Sequence, residues 1–442
     1  KQVLQYLTPT LKRLNLDLTS SFDHNQYANY NGSDDESIAS QDGDEHREGV
    51  EIMRDIFSAF PLLEHLDLER LMMRGDYIKI YLTQSFCELF TKCTHLRSLC
   101  LHGCVISSNV LKAICNAPNL REISILHESS FKSNAFDGLA PVQRSPVRRI
   151  ETDSVQFCAL FPDVETLLLT GNTSTEVVSA ATHCRNVLHA TVALTSRMDE
   201  EEAQQMCQHW QNVCELTFTS IKTSENRLSK AAIFAIIQQC CHLHRFYTDC
   251  SLANMWDFNV TFPQCVYAKN FRGSRLRELH VDVGTEDLLE LIVTHCTSLF
   301  ALHIRRCESS MFRALHLLNN SNVKCLQLVG CHGLSDPDIG ALQTIDTLHI
   351  HDGGRLTKQG IVNLGKNCRT LRVLYLTNAI AELADAVIDL IPVCPSLQRY
   401  VFEFACYSSK QFASAAVSAV QEKFNARYPH VSVVFDKTKI DN

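Results

Sequence analysis

Val323-Lys-Cys-Leu326-Gln-Leu328-Val-Gly-Cys331 places apolar residues at its first, fourth and sixth positions and a cysteine at its ninth. Leu326-Gln327-Leu328 alternates with the two-residue period of a strand, so the leucines take one side and Gln327 the other. The same spacing returns as Leu96–Leu99–Leu101–Cys104, Val164–Leu167–Leu169–Asn172 and Leu299–Leu302–Ile304–Cys307. Weaker copies begin at Leu11, Leu63, Leu120, Val187, Val213, Leu243, Leu276, Ile345, Leu371 and Leu397, which makes fourteen. Thr248 alone breaks the apolar pattern. Repetition at a fixed period outranks any domain count taken from length.

The pattern is that of a leucine-rich repeat. The starts are mostly 22 to 33 residues apart. Between strands the apolar residues change to helical spacing, as in Leu111, Ile114 and Ala117 or Ile339, Leu342 and Ile345. Each repeat therefore predicts strand, turn and helix. No single repeat can bury its own leucines, and stacking joins them into one core. The fold class expected is an α/β leucine-rich-repeat solenoid, a right-handed βα horseshoe like ribonuclease inhibitor, with about 14 repeats over residues 1–442 as one domain. Longer gaps predict insertions at about 19–50, acidic and disordered, and at 129–150, a loop carrying Gly138, Pro141 and Pro146. A cap is expected at 407–442, with an Ala-rich helix over Ser408–Phe424 and a last strand over Val431–Phe435.

The formal net charge is −8, and the stretch from Ser33 to Glu48 contributes −6 of it. The remainder is close to neutral and lacks the basic stripe that a phosphate backbone requires, which argues against nucleic acid as a partner. No apolar run approaches the length of a membrane span, and no signal peptide is visible. Twenty cysteines recurring once per repeat fit buried thiols in a reducing compartment better than a disulfide framework, so a cytoplasmic or nuclear location is expected.

A second cysteine stands three residues before the first apolar position: Cys93-Thr-His-Leu96, Cys184-Arg-Asn-Val187, Cys240-Cys-His-Leu243, Cys296-Thr-Ser-Leu299, Cys368-Arg-Thr-Leu371 and Cys394-Pro-Ser-Leu397. With turns such as Cys331-His-Gly-Leu-Ser-Asp336, the chain resembles the cysteine-containing leucine-rich repeats of F-box proteins. That resemblance implies a horseshoe that recruits a substrate, joined through an F-box and an adaptor to a cullin ubiquitin ligase. No F-box is legible ahead of Leu11, so ligase membership is implied only if one lies upstream of Lys1. Glu51–Phe60 superficially matches the start of an F-box helix but continues the repeat pattern into Leu63.

The strand alternation also identifies the residues expected on the concave face: Glu278, His280, Asp282, His303, Arg305, Gln327, His349, His351 and Tyr375. They form a polar and aromatic strip suited to a protein partner, with Arg and Tyr as anchors; an ordinary solvated face is the alternative. The N-terminal strip is more acidic, with Asn15, Asp17, His65, Asp67, Glu69 and His102, and on charge alone would select a basic segment. Ser33, followed by Asp34, Asp35 and Glu36, suits an acid-directed kinase. Cys240-Cys-His-Leu-His244 holds metal-binding atoms without paired C-x-x-C spacing, so zinc is the weaker reading. No catalytic motif is present, and no cofactor is expected.

These features lead to a non-catalytic interaction module, with substrate recognition for a cullin ligase of the SCF type first. A scaffold unrelated to ubiquitin and a small-GTPase regulator are alternatives. An extracellular receptor is more distant, resting on glycosylation triplets at Asn31, Asn259 and Asn319.

Overall fold

A computed structural model describes residues 10–17, 59–69, 80–82, 84–102, 104–126, 130–131, 134–220, 228–248, 275–307, 309–353, 355–379, 383, 386–404, 428 and 431–436. The expected acidic insertion with Ser33, the helix over Ser408–Phe424, Asn31, Asn259 and the segment 51–58 lie outside the described residues. The chain divides into two compact units, 1–196 with 208–210, and 197–207 with 211–442.

In the first unit, strands β1 (Arg13–Asp17), β2 (His65–Glu69), β4 (Ser98–Leu101), β6 (Glu122–Ile125), β8 (Arg149–Thr152), β9 (Thr166–Asn172) and β10 (His189–Leu194) pair in that order, all parallel. Three short strands, β3 (Ile80–Tyr81), β5 (Cys104–Ile106) and β7 (Ser130–Phe131), form a second parallel sheet. In the second unit, β11 (Glu215–Ser220), β12 (Arg245–Thr248), β13 (Glu278–Gly284), β14 (Ala301–Cys307), β15 (Cys325–Val329), β16 (Thr347–His351), β17 (Val373–Ala379), β18 (Arg399–Phe404) and β19 (Ser432–Asp436) do the same. Helices lie between them, among them Ser108–Cys115, Ser174–His183, Glu286–His295 and Lys358–Asn367. The chain is an α/β leucine-rich-repeat solenoid.

The register explains the leucine spacing. Leu279, Leu302, Leu326, Leu348, Leu374 and Tyr400 stand opposite one another across six strands, and all are essentially inaccessible. Each buried aliphatic side chain is worth about 1.5–3 kcal/mol. Helix starts follow the capping residues in the sequence. Thr173 and Glu176 form a reciprocal capping box, and the Thr285 and Thr357 hydroxyls accept from Leu288 and Gly360 amides.

The recurrent cysteine acquires a physical role. Cys93, Cys184, Cys240, Cys296, Cys368 and Cys394 are each the residue that ends a helical turn, and all are buried. Several thiols reach back one repeat to a main-chain carbonyl: Cys93 to Phe60 at 3.5 Å, Cys184 to Cys158 at 3.4 Å, Cys368 to Ile345 at 3.1 Å and Cys394 to Leu371 at 3.4 Å. A small apolar side chain with one weak donor suits a buried site beside a carbonyl that already accepts one hydrogen bond, from Thr370 Oγ1 at Ile345 and from Ser396 Oγ at Leu371, and has a second lone pair to fill. The ninth-position residues do similar work, since Asn172 Nδ2 donates to Asp153 O at 3.0 Å and Cys331 Sγ to Val329 O at 3.5 Å.

The stretch 129–150 departs from the expected loop only at its ends, in β7 and β8. Its end enters β8: Val147, two residues before the strand, and Ile150 within it are buried, and the third repeat position is Thr152, fully buried. This is a further repeat, Val147–Ile150–Thr152. The Thr152 hydroxyl is satisfied by accepting from the Ser154 amide at 3.0 Å. Thr248 behaves alike, accepting from the Asp282 amide at 3.2 Å. The last strand appears at Ser432–Asp436.

Candidate functional site

In the second unit the residues between the buried leucines occupy the opposite face of the sheet in three rows. The middle row runs Tyr247, His280, His303, Gln327, His349, Tyr375 and Val401, each opposite the next. Strands about 4.8 Å apart bring such side chains into contact. The Tyr247 and His280 rings meet edge to face at 4.5 Å, His280 and His303 at 4.7 Å, and His349 and Tyr375 at 5.4 Å. The Arg399 guanidinium lies 5.7 Å from the centre of the Tyr375 ring. To one side stand Arg245 and Glu278; to the other stand Asp282, Arg305, His351 and Thr377.

Glu278, His280 and His303 form a hydrogen-bonded chain. His280 Nε2 is 3.0 Å from Glu278 Oε1, and its Nδ1 is 3.0 Å from His303 Nδ1. Burial pushes the Glu278 carboxyl up, but the His280 hydrogen bond and the nearby charges of His280 and Arg245 outweigh it, so its pKa is lowered. Burial, reinforced by the charge of His280, drives His303 well below the usual histidine range. His349 is lowered to about 4, by burial first and then by His351. Both rings are neutral at physiological pH.

The strip is less solvated than alternation alone suggests. Asp282, His303 and Gln327 are 4%, 7% and 8% exposed. The neighbouring strands' side chains cover them, an effect invisible from one strand's period. Asp282 is held by Arg306, with Arg305 at 4.0 Å. His351 and His349 share the Thr377 hydroxyl, at 2.8 and 2.9 Å. His280, His303, Gln327, His349 and Tyr375 together line a shallow depression. Tyr247, Thr377 and Arg399 were not singled out in the sequence. Tyr247 is hidden by the polar Thr248 in its repeat, and Thr377 lies beyond the consensus strand.

In the first unit the corresponding row runs Asn15, Asp67, Cys100, Ser124 and Glu151. Asn15 Nδ2 donates to Asp67 Oδ2 at 3.1 Å, and Ser124 Oγ donates to Glu151 Oε2 at 3.0 Å. His102 Nε2 lies 3.0 Å from Ser124 Oγ and 3.2 Å from Cys100 Sγ. Burial, with Asp67 beside it, raises the Cys100 pKa, which keeps it a thiol rather than a nucleophilic thiolate. Glu151 becomes visible only with the repeat at Val147. Glu69 belongs to β2, but its side chain is outside the described residues.

Cys240 points inward, 3.2 Å from Cys207 Sγ, whereas Cys241 is exposed and His242 faces Arg275 at 3.1 Å. The three do not converge. Asn319 is engaged at both ends of its amide, donating to Ala341 O and accepting from the Gln343 amide, each at 2.8 Å. A glycan on its nitrogen would disrupt that bridge.

No protein-family model matches the sequence, and no curated protein matches it. Solved structures similar to the chain include that of the Rad7 and Elc1 complex in yeast, at 12% identity and a TM-score of 0.37, covering 90% of this chain and 92% of that one. Another is an internalin (InlF) of Listeria monocytogenes, at 12% identity and a TM-score of 0.35, covering 82% and 90%. Likenesses this loose carry no argument about what the chain binds.

Proposed function

We propose that the chain is a non-catalytic protein-interaction module that grips a polypeptide partner on the polar strand face, and that it serves as a substrate receptor for a cullin ubiquitin ligase. The observation that carries the interaction reading is the middle row of the second unit. It is a continuous band of aromatic, imidazole and amide groups on the face opposite the core, flanked by Arg305 and Arg399. Aromatic and arginine side chains are the usual anchors of protein interfaces, and repeat proteins offer their strand faces for this purpose.

The ligase assignment rests on the cysteine phase that the repeats share with F-box proteins. It requires an F-box to join the adaptor. Asp67 and Glu151 make the first unit's row, taken by itself, a contact suited to a basic stretch of a polypeptide. Affinity purification of the full-length protein from its native cell, followed by mass spectrometry, tests the assignment. A cullin and its adaptor should be recovered; their consistent absence contradicts the ligase reading and leaves the interaction module standing.

A further inference from the structure

Along the middle row of the second unit the run of rings is interrupted at Gln327. The imidazoles of His280 and His303 pair on one side, and the rings of His349 and Tyr375 pair on the other. Gln327 is one strand away from His303 and one from His349. The two ring pairs thus stand across two strand spacings, about 9–10 Å, with a recessed amide between them. This is where the depression opens.

Among the buried polar atoms that line it, Gln327 Nε2 and His349 Nδ1 have no hydrogen-bond partner. Buried polar groups are nearly always paired, and those that are not mark places where something else completes them. Their polarities can be worked out. Gln327 Nε2 is a donor. His349 is neutral, so one of its nitrogens carries the hydrogen. The Asp352 carboxylate lies 3.5 Å from His351 Nε2 and favours a ring hydrogen on that atom. His351 Nδ1 then accepts from the Thr377 hydroxyl, and the same oxygen accepts from His349 Nε2–H. His349 Nδ1 is left as an acceptor.

A group that completes the site must therefore present an acceptor to Gln327 and a donor to His349, side by side. A carboxylate brings a lone pair against the Nδ1 lone pair. An ammonium or guanidinium brings a donor against the Gln327 N–H, and neither neutral imidazole supplies a countercharge. A carboxamide has both atoms in one plane. Because Gln327 is recessed, a side chain can reach it where a main chain cannot. We infer that the Gln327–His349 depression is a recognition site for an Asn or Gln side chain of the partner polypeptide. The inference rests on the interaction reading above and names the group that this face selects.

The test is a random heptapeptide library on phage, selected in parallel on the wild-type chain and on Gln327→Met and His349→Phe. Gln327→Met removes a buried polar atom that has no partner and keeps the side-chain length, so the variant should fold; its melting curve checks this. Wild-type selection should converge on peptides with Asn or Gln at one fixed position. Changing that residue to Asp or Leu should weaken binding by about tenfold or more, and Gln327→Met should erase the preference. A fixed acidic or basic residue at that position, or an amide preference that survives Gln327→Met, overturns the inference. Peptides without an amide preference that still lose binding on Arg305→Glu and Tyr375→Ala would sink the carboxamide site and spare the interaction face. Selection of no peptide at all contradicts both.

Discussion

The Nδ1 atoms of His280 and His303 lie 3.0 Å apart, a distance at which the two imidazoles share a single hydrogen. Protonating both rings at once would place two N–H groups head to head. His349, one strand beyond Gln327, is likewise held neutral, its pKa lowered to about 4 chiefly by burial.

The consequence is a pH dependence of stability whose sign is fixed. Between the ordinary histidine pKa of about 6.5 and the folded values, the unfolded chain binds more protons than the folded one. Stability contributed by these rings is therefore present above about pH 6.5 and falls as pH falls towards 4. For His349 the difference of about 2.5 units corresponds to about 3 kcal/mol once pH 4 is reached. Urea melts at pH 7.5, 6.0 and 5.0 should show falling midpoints. His349→Phe should flatten that trend; an unchanged slope in this variant would contradict the assignment.

The helix-ending cysteines make a second prediction. Removing the Cys368 thiol takes from the buried Ile345 carbonyl the donor 3.1 Å away, leaving Thr370 Oγ1 at 3.0 Å, and empties the volume of a buried sulfur. Cys368→Ala should cost about 1 kcal/mol for the lost hydrogen bond, with more for the volume vacated, measured by chemical denaturation. Cys241→Ala, at an exposed cysteine beside the same position of another repeat, should lie within about 0.5 kcal/mol of wild type. Equal effects of the two would refute the role given to the buried thiols.

Gly284 ends β13, where a Cβ would press on the side chains of Met311 and Ile304. Gly284→Ala should destabilise by about 1–3 kcal/mol through overpacking, and a thermal melt measures it. An unchanged melting temperature would mean that the two neighbouring repeats pack less closely than described.

Ile150 distinguishes a repeat from a loop. Buried between Ile123 and Leu167, it should cost about 2–5 kcal/mol on replacement by Ala. An exposed loop residue would cost about 0.5 kcal/mol or less. A small loss in denaturant melts would restore the loop.

What could be read in the chain follows from which interactions are periodic. Leu326 and Leu328 announce their strand because every stacked repeat demands the same buried volume, and Gln327 is thereby assigned to the other face. The repeat at Val147 escaped because Thr152 fills an apolar position while satisfying its hydroxyl locally, which no spacing reveals. The cysteine phase was legible at Cys368 and its five counterparts, but its reason was not, since the accepting carbonyl lies one repeat away. Likewise the burial of His303 and the orientation of His349 depend on neighbouring strands, about 20 to 30 residues distant in sequence for each partner.

The central claim is that the polar strand face of the second unit grips a protein partner. It is tested most directly by purifying the full-length protein from its native cell as wild type, as Arg305→Glu with Tyr375→Ala on the strand face, and as Lys366→Glu on the exposed side of the helix Lys358–Asn367. Quantitative mass spectrometry of the proteins that accompany each form should show a specific set retained by Lys366→Glu and lost from the strand-face variant. The same set recovered undiminished with the strand-face variant, with its fold intact by circular dichroism, would contradict the account.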